Sequence, residues 1–131
     1  MTQEDINLLL QDLGCRLTYG VLIHIDETNE VEELYCLNIP QEALYTRNPN
    51  NHNISSLVPI EQAKPYLRPM SSMTLEERFE YNGLINYVAD FSFELMSWKV
   101  YDWLNKHHFD YRGLIEKGLA LEAPKGMYNI E

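Results

Sequence analysis

The chain has 131 residues, a mass of 15.4 kDa and 45% hydrophobic residues, enough for one domain that buries roughly two-thirds of its unfolded surface. Twenty acidic residues against ten basic ones give a formal charge of −10, a field that repels phosphate backbones and anionic membranes and so disfavours direct nucleic-acid or membrane binding. The charge is −7 over residues 1–65 (ten acids, three bases) and −3 over residues 66–131 (ten acids, seven bases), which assigns any contact with an anion to the second half.

In chain order, MTQEDINLLLQDLG carries acids where a secretory signal carries bases, and its apolar run is too short to span a bilayer, so a cytoplasmic location is expected. Cys15 and Cys36 then read as reduced, half-buried thiols. Thr2 can cap a short helix whose apolar stripe is Ile6, Leu9, Leu10 and Leu13, ending at Gly14. Period-two alternation over Leu17 to Ile25 predicts a strand with Leu17, Tyr19, Val21, Ile23 and Ile25 on its core face. After the turn Asp26 to Asn29 the alternation resumes with Val31, Tyr35, Leu37 and Ile39 inward, which predicts an antiparallel hairpin ended by Pro40. A short strand over Ala43 to Thr46 and a polar loop over Arg47 to Asn53 follow. Two further extended pieces, Ile54 to Ile60 and Ala63 to Leu67, are flanked by Pro59, Pro65 and Pro69, which favours edge positions or bends.

Thr74 and Glu77 have the spacing of a capping box and open a helix that Asn82-Gly83 weakens. Asp90 is a candidate cap for a second helix within Val88 to Asn105, whose wide apolar stripe, with Val88, Phe91, Leu95 and Trp98 on one edge and Phe93, Met96, Val100, Trp103 and Leu104 on the other, predicts deep burial. Residues from Phe109 to Ala123 read as irregular structure with a helical turn near Leu114 to Lys117. The expected architecture is a single α+β domain over residues 1–131. It has a short N-terminal helix, a small bent antiparallel sheet or partly open barrel, and C-terminal helices packed on that sheet.

No catalytic or nucleotide signature is present, and no catalytic residue is assigned. His107 and His108 are adjacent, and neighbouring residues diverge in direction, so one is read as facing the carbonyl end of the preceding helix and the other as solvated; no metal and no cofactor are expected. His24 and Asp26 read as an exposed polar pair. Asp110 and Arg112 read as a local knot that ties down the chain. The nine tyrosines are more telling, because several lie beside arginine or lysine, the pairing that dominates interface hot spots. The candidate binding surface is therefore Tyr66, Arg68, His108, Asp110, Tyr111 and Arg112.

Three stretches, LLLQDLGCRLTYGV (Leu8 to Val21), KPYLRPMSSMT (Lys64 to Thr74) and DWLNKHHFDYRGLIEKGLALEAP (Asp102 to Pro124), together resemble a group of uncharacterised proteins encoded by phages and prophages of gut Bacteroidales. The resemblance implies a mobile-element origin and the cytoplasm of a bacterial host, and it transfers no catalytic residue. The expected function is that of a non-enzymatic accessory protein that binds a host or phage protein. The alternatives are an anti-defence protein, acting as an acidic DNA mimic or a sponge for a small signalling molecule, and a small metal-dependent hydrolase.

Overall fold

The computed structural model describes residues 1–90 and 93–128, apart from the side chains of Ser56, of residues 87–90 and of residues 93–97. Helix α1 (Gln3–Cys15) starts where Thr2 Oγ1 accepts the amide of Asp5 at 3.1 Å and ends one residue past Gly14, with the Arg16 amide bonded to Leu13. The strands β1 (Leu22–Ile25), β2 (Glu30–Asn38), β3 (Ala43–Arg47), β4 (Ile54–Pro59) and β5 (Ala63–Pro69) form an open antiparallel array in the order β4-β3-β2-β1-β5. Helices α2 (Leu75–Asp90) and α3 (Phe93–Lys106) follow, then two short strands, β6 (Phe109–Asp110) and β7 (Leu121–Glu122), both parallel to β5. The molecule is α+β, with a mixed sheet that stays open. No described helix is long and apolar enough to cross a membrane.

Hydrophobic burial divides into two clusters. In the first, Ile6, Leu9, Leu10 and Leu13 of α1 pack against Val21, Ile23, Leu34, Leu44 and Leu67 of the sheet region, and Leu114, Leu119 and Ala120 join the same cluster. In the second, Val100, Leu104 and Phe109 gather Met70, Met73, Tyr81, Leu84, Trp103 and Tyr111. The second cluster seats the helical hairpin.

Several expectations change. Residues 16–20 form turns, so the β1 alternation begins only at Val21 and Leu22; Leu17 and Tyr19 belong to the connection out of α1. On β2 the core face carries Glu32 and Leu34, while Val31, Tyr35 and Ile39 are exposed. Two physical causes act together. Glu32 is buried because hydroxyls on β3 and β4 donate to its carboxylate, Thr46 at 2.8 Å and Ser55 at 2.6 Å, which compensates the desolvation that otherwise keeps a carboxylate outside. A bulge between Leu34 and Cys36 then inserts one residue and reverses the parity, returning Leu37 to the core side.

Strand β5 is interior to the sheet despite its prolines. Pro65 faces Ile23 in the β1 register, so the next pair along is Leu22 and Tyr66. There the hydroxyl of Tyr128 stands between the strands, accepting from the Leu22 amide at 2.8 Å and donating to the Tyr66 carbonyl at 2.7 Å. One phenol thus satisfies two main-chain groups where the direct ladder stops.

The capping box forms in both directions, with Glu77 N–H to Thr74 Oγ1 at 3.2 Å and Thr74 N–H to Glu77 Oε1 at 2.9 Å. The expected capping role of Asp90, and the expected stripe positions Val88, Phe91, Phe93, Leu95 and Met96, lie outside the described residues or side chains. Of the two tryptophans, Trp103 is partly buried, its ring near those of Tyr81, His107 and Phe109, but Trp98 is 60% exposed. Replacing Tyr128 by Phe keeps the ring and removes the hydroxyl bridge. The expected outcome is a loss of about 1–3 kcal/mol in urea denaturation, the cost of leaving buried main-chain groups unpaired; a stability unchanged within error contradicts the bridge.

Candidate functional site

The chain between α3 and β7 is held by two buried arginines, one at the end of α1 and one on β5. Arg16, at the end of α1, and Asp12 one turn earlier are both 0% exposed. Arg16 Nε and Nη2 donate to the Asp12 carboxylate at 2.8 and 3.2 Å, and Nη2 also reaches the carbonyl of Phe109 at 2.7 Å. Asp12 additionally accepts from Arg112 Nε at 3.1 Å. From β5, Arg68 makes a two-pronged pair with Glu77 at 2.7 and 2.6 Å, donates to the carbonyl of His107 at 3.1 Å and lies 4.2 Å above the Phe109 ring. The Arg68 amide bonds the His108 carbonyl at 2.8 Å.

Burial opposes ionisation of Glu77, but the hydrogen bonds from Arg68, the Thr74 amide and the Arg68 charge outweigh it and hold its pKa at about 2. His108 has a left-handed backbone, φ 64°, and its ring stacks on Tyr128 with centroids 3.7 Å apart. Burial first, then the charges of Arg16, Arg68 and His107, push its pKa down to about 4. His107 is lowered too, chiefly by burial, with Glu77 and Glu80 pulling the other way; its ring rests 4.4 Å from that of Trp103. Neither histidine is therefore the solvated or helix-capping cation expected from adjacency, because each ring is taken up by an aromatic neighbour. His24 and Asp26 do form the expected exposed pair, at 3.0 Å.

Asp110 fastens the next turn, its two oxygens accepting the amides of Leu114 at 2.9 Å and Ile115 at 3.0 Å. This is the local knot that the sequence suggested. Beside it an open groove of about 1290 Å³ runs between the helical hairpin and residues 110–113. Its main walls are Tyr81, Ile85, Trp98, Tyr101 and Tyr111, with Arg112 and Asp102 among its charged residues. The Tyr101 and Tyr111 rings lie 5.3 Å apart, and Arg112 covers Tyr111 at 5.2 Å.

The six candidate binding residues are thus distributed. Asp110, Tyr111 and Arg112 line the groove; Arg68 borders a second hollow of about 710 Å³ with Lys125 and Tyr128. His108 is buried between, and Tyr66 sits on β5 with its ring edge-on to His24 at 6.1 Å. Missed entirely were Asp12 and Arg16, whose visible signal was an opposite-charge pair at i, i+4 beside an apolar stripe. Among the described residues no three of His, Cys, Asp and Glu converge to hold a metal ion. No protein-family model, curated protein or solved structure matches the chain.

The two buried groups give a pH dependence with one sign and two windows. An unfolded histidine binds a proton below its ordinary 6.5, whereas folded His108 resists protonation down to about 4, so its contribution falls as pH drops through that interval. Glu77 contributes in full above the ordinary 4.5 and loses its effect as pH falls toward about 2. In thermal melts across pH, His108→Phe is expected to flatten the loss between neutral pH and the mid-acid range. Glu77→Gln is expected to melt below the wild type at neutral pH and converge with it in strong acid. Parallel profiles for all three proteins contradict these assignments.

Proposed function

We propose that the protein is a non-enzymatic accessory protein of a phage or other mobile element, and that it binds a host or phage protein in the bacterial cytoplasm through the groove beside α3. One observation carries the binding reading. The charged residues lining the groove are already engaged within the chain, Asp102 by the Tyr19 hydroxyl, Asp110 by two amides and Arg112 by Asp12. What the groove offers a partner is aromatic and apolar surface, with Trp98 and Tyr101 both more than half exposed. Aromatic side chains of this kind anchor protein interfaces. The groove is open and exceeds the roughly 300–1,000 Å³ of small-molecule pockets, which suits a protein segment better than a metabolite. The mobile-element setting rests on the resemblance of the three stretches described above.

Affinity purification from infected cells with the wild type and with the double variant Trp98→Ser/Tyr101→Ala tests the reading. A partner retained by the wild type is expected to be lost by the variant, and with purified partner the loss is expected to be about 2 kcal/mol or more per anchor, roughly thirtyfold in Kd. Equal retention of the same partner by both proteins contradicts the groove as its site.

A further inference from the structure

The groove beside α3 has dimensions that select what can lie in it. Its lining runs along α3 from Trp98 to Asn105, two turns, or about 10 Å at about 1.5 Å per residue. Over that length its volume of about 1290 Å³ corresponds to a cross-section of roughly 130 Å². An α-helix, about 10–12 Å in diameter, fills about 80–110 Å². An extended chain, about 4.8 Å by about 10 Å in a packed sheet, fills only about 50 Å².

The walls make the same selection. Tyr81 and Ile85 on α2 stand at i and i+4, and Trp98 and Tyr101 on α3 at i and i+3, so each helix presents a short apolar ridge to the groove. The Tyr81 and Trp103 rings are 5.8 Å apart, which sets the first half of α2 against the last turns of α3. Helices bond their own main-chain groups, so these walls offer no edge on which a partner strand could pair. A helix arrives with its backbone already satisfied.

Charge sets the sign of the partner. Asp102 and Asp110 line the groove against Arg112. Arg112 is paired with the Asp12 carboxylate, whereas Asp102 is bonded by the neutral hydroxyl of Tyr19 and Asp110 by main-chain amides, which leave a carboxylate's charge in place. Lys99 lies over the Trp98 ring at 5.9 Å but outside the lining. The lining thus has the sign of the whole chain, −10, and both favour a cationic partner. Resting on the reading of this groove as a partner site, we infer that its occupant is an amphipathic α-helix of the partner. That helix carries apolar anchors at i, i+3 or i+4, and i+7, with basic residues beside them, one of which meets the exposed Asp102.

A display library of random peptides of about 16 residues, long enough for a marginal helix, tests this when selected on the immobilised full chain and counter-selected on Trp98→Ser/Tyr101→Ala. Groove-dependent peptides are expected to show the helical apolar spacing with Lys or Arg beside it. The tightest of them, followed by fluorescence anisotropy, is expected to gain helical circular dichroism on binding. A proline placed mid-peptide on its solvent face is expected to weaken it about a hundredfold. Asp102→Asn, which keeps an acceptor for Tyr19, is expected to weaken it roughly two- to fivefold at low salt, with the difference fading at high salt. Groove-dependent peptides that are proline-rich, that bind without gaining helix or that carry acids beside their anchors overturn the inference and leave the groove reading standing. So does equal affinity for the wild type and Asp102→Asn. Failure to enrich any peptide on the wild type over the double variant removes the groove reading, and the helix with it.

Discussion

The buried pair of Asp12 and Arg16 is the constraint on which the architecture turns. Two ions with no solvent exposure are costly to desolvate, and their attraction repays the cost only when the remaining donors and acceptors are also used. Here Arg16 Nη2 and an Asp12 oxygen are used to join distant parts of the chain, while Arg16 Nη1 is buried without a hydrogen-bond partner among the described residues. Arg16 reaches the Phe109 carbonyl, 93 residues away, and Asp12 reaches Arg112, 100 residues away. The first helix thereby becomes the surface against which the C-terminal segment is laid, and the apolar residues Leu114, Leu119 and Ala120 complete the same core.

Arg68 does the corresponding work from the other side. Its side chain joins the start of α2, through Glu77, to the end of α3, through the His107 carbonyl, while its ring contact covers Phe109. Phe109 is thus gripped by one arginine at its carbonyl and by another at its ring. Once both grips are in place, the helical hairpin stands out from the sheet with Trp98 and Tyr101 on an open flank. The conserved quantity in this arrangement is charge pairing: the ionic groups near the groove are consumed in holding the chain, so what faces outward is aromatic. The proposed binding role follows from that division between charges that build and rings that are left over.

Much of the fold was legible because local rules and tertiary packing agreed. The Thr2 cap, the stripe of α1, the turn at Asp26 to Asn29, the strand at Ala43 and the Thr74/Glu77 box all formed at or near their expected positions. Where the reading failed, a nonlocal contact had overruled a local pattern. Hydropathy placed Glu32 outside because the Thr46 and Ser55 hydroxyls that hold it are 14 and 23 residues away. Alternation cannot reveal a bulge, so the β2 face was inverted. The strands β6 and β7 are two residues each, too short to show any period. The segment 110–112 was singled out from its aromatic and charged composition and lines the groove, but the role of Arg68 and His108 as buried supports depended on Glu77 and Tyr128, which no spacing connects to them. Trp98 was misplaced for the opposite reason: an apolar stripe says that a helix face wants cover without saying whether this chain provides it.

The first helix and the C-terminal segment form one cooperative unit tied by Arg16. Urea denaturation of Arg16→Met, followed by both tryptophan fluorescence and far-ultraviolet circular dichroism, addresses this directly. Removing one member of a buried pair strands the other, so a loss of about 3–5 kcal/mol is expected, with the two signals still coincident. A variant within about 0.5 kcal/mol of the wild type, the range of an inert surface substitution, would contradict it.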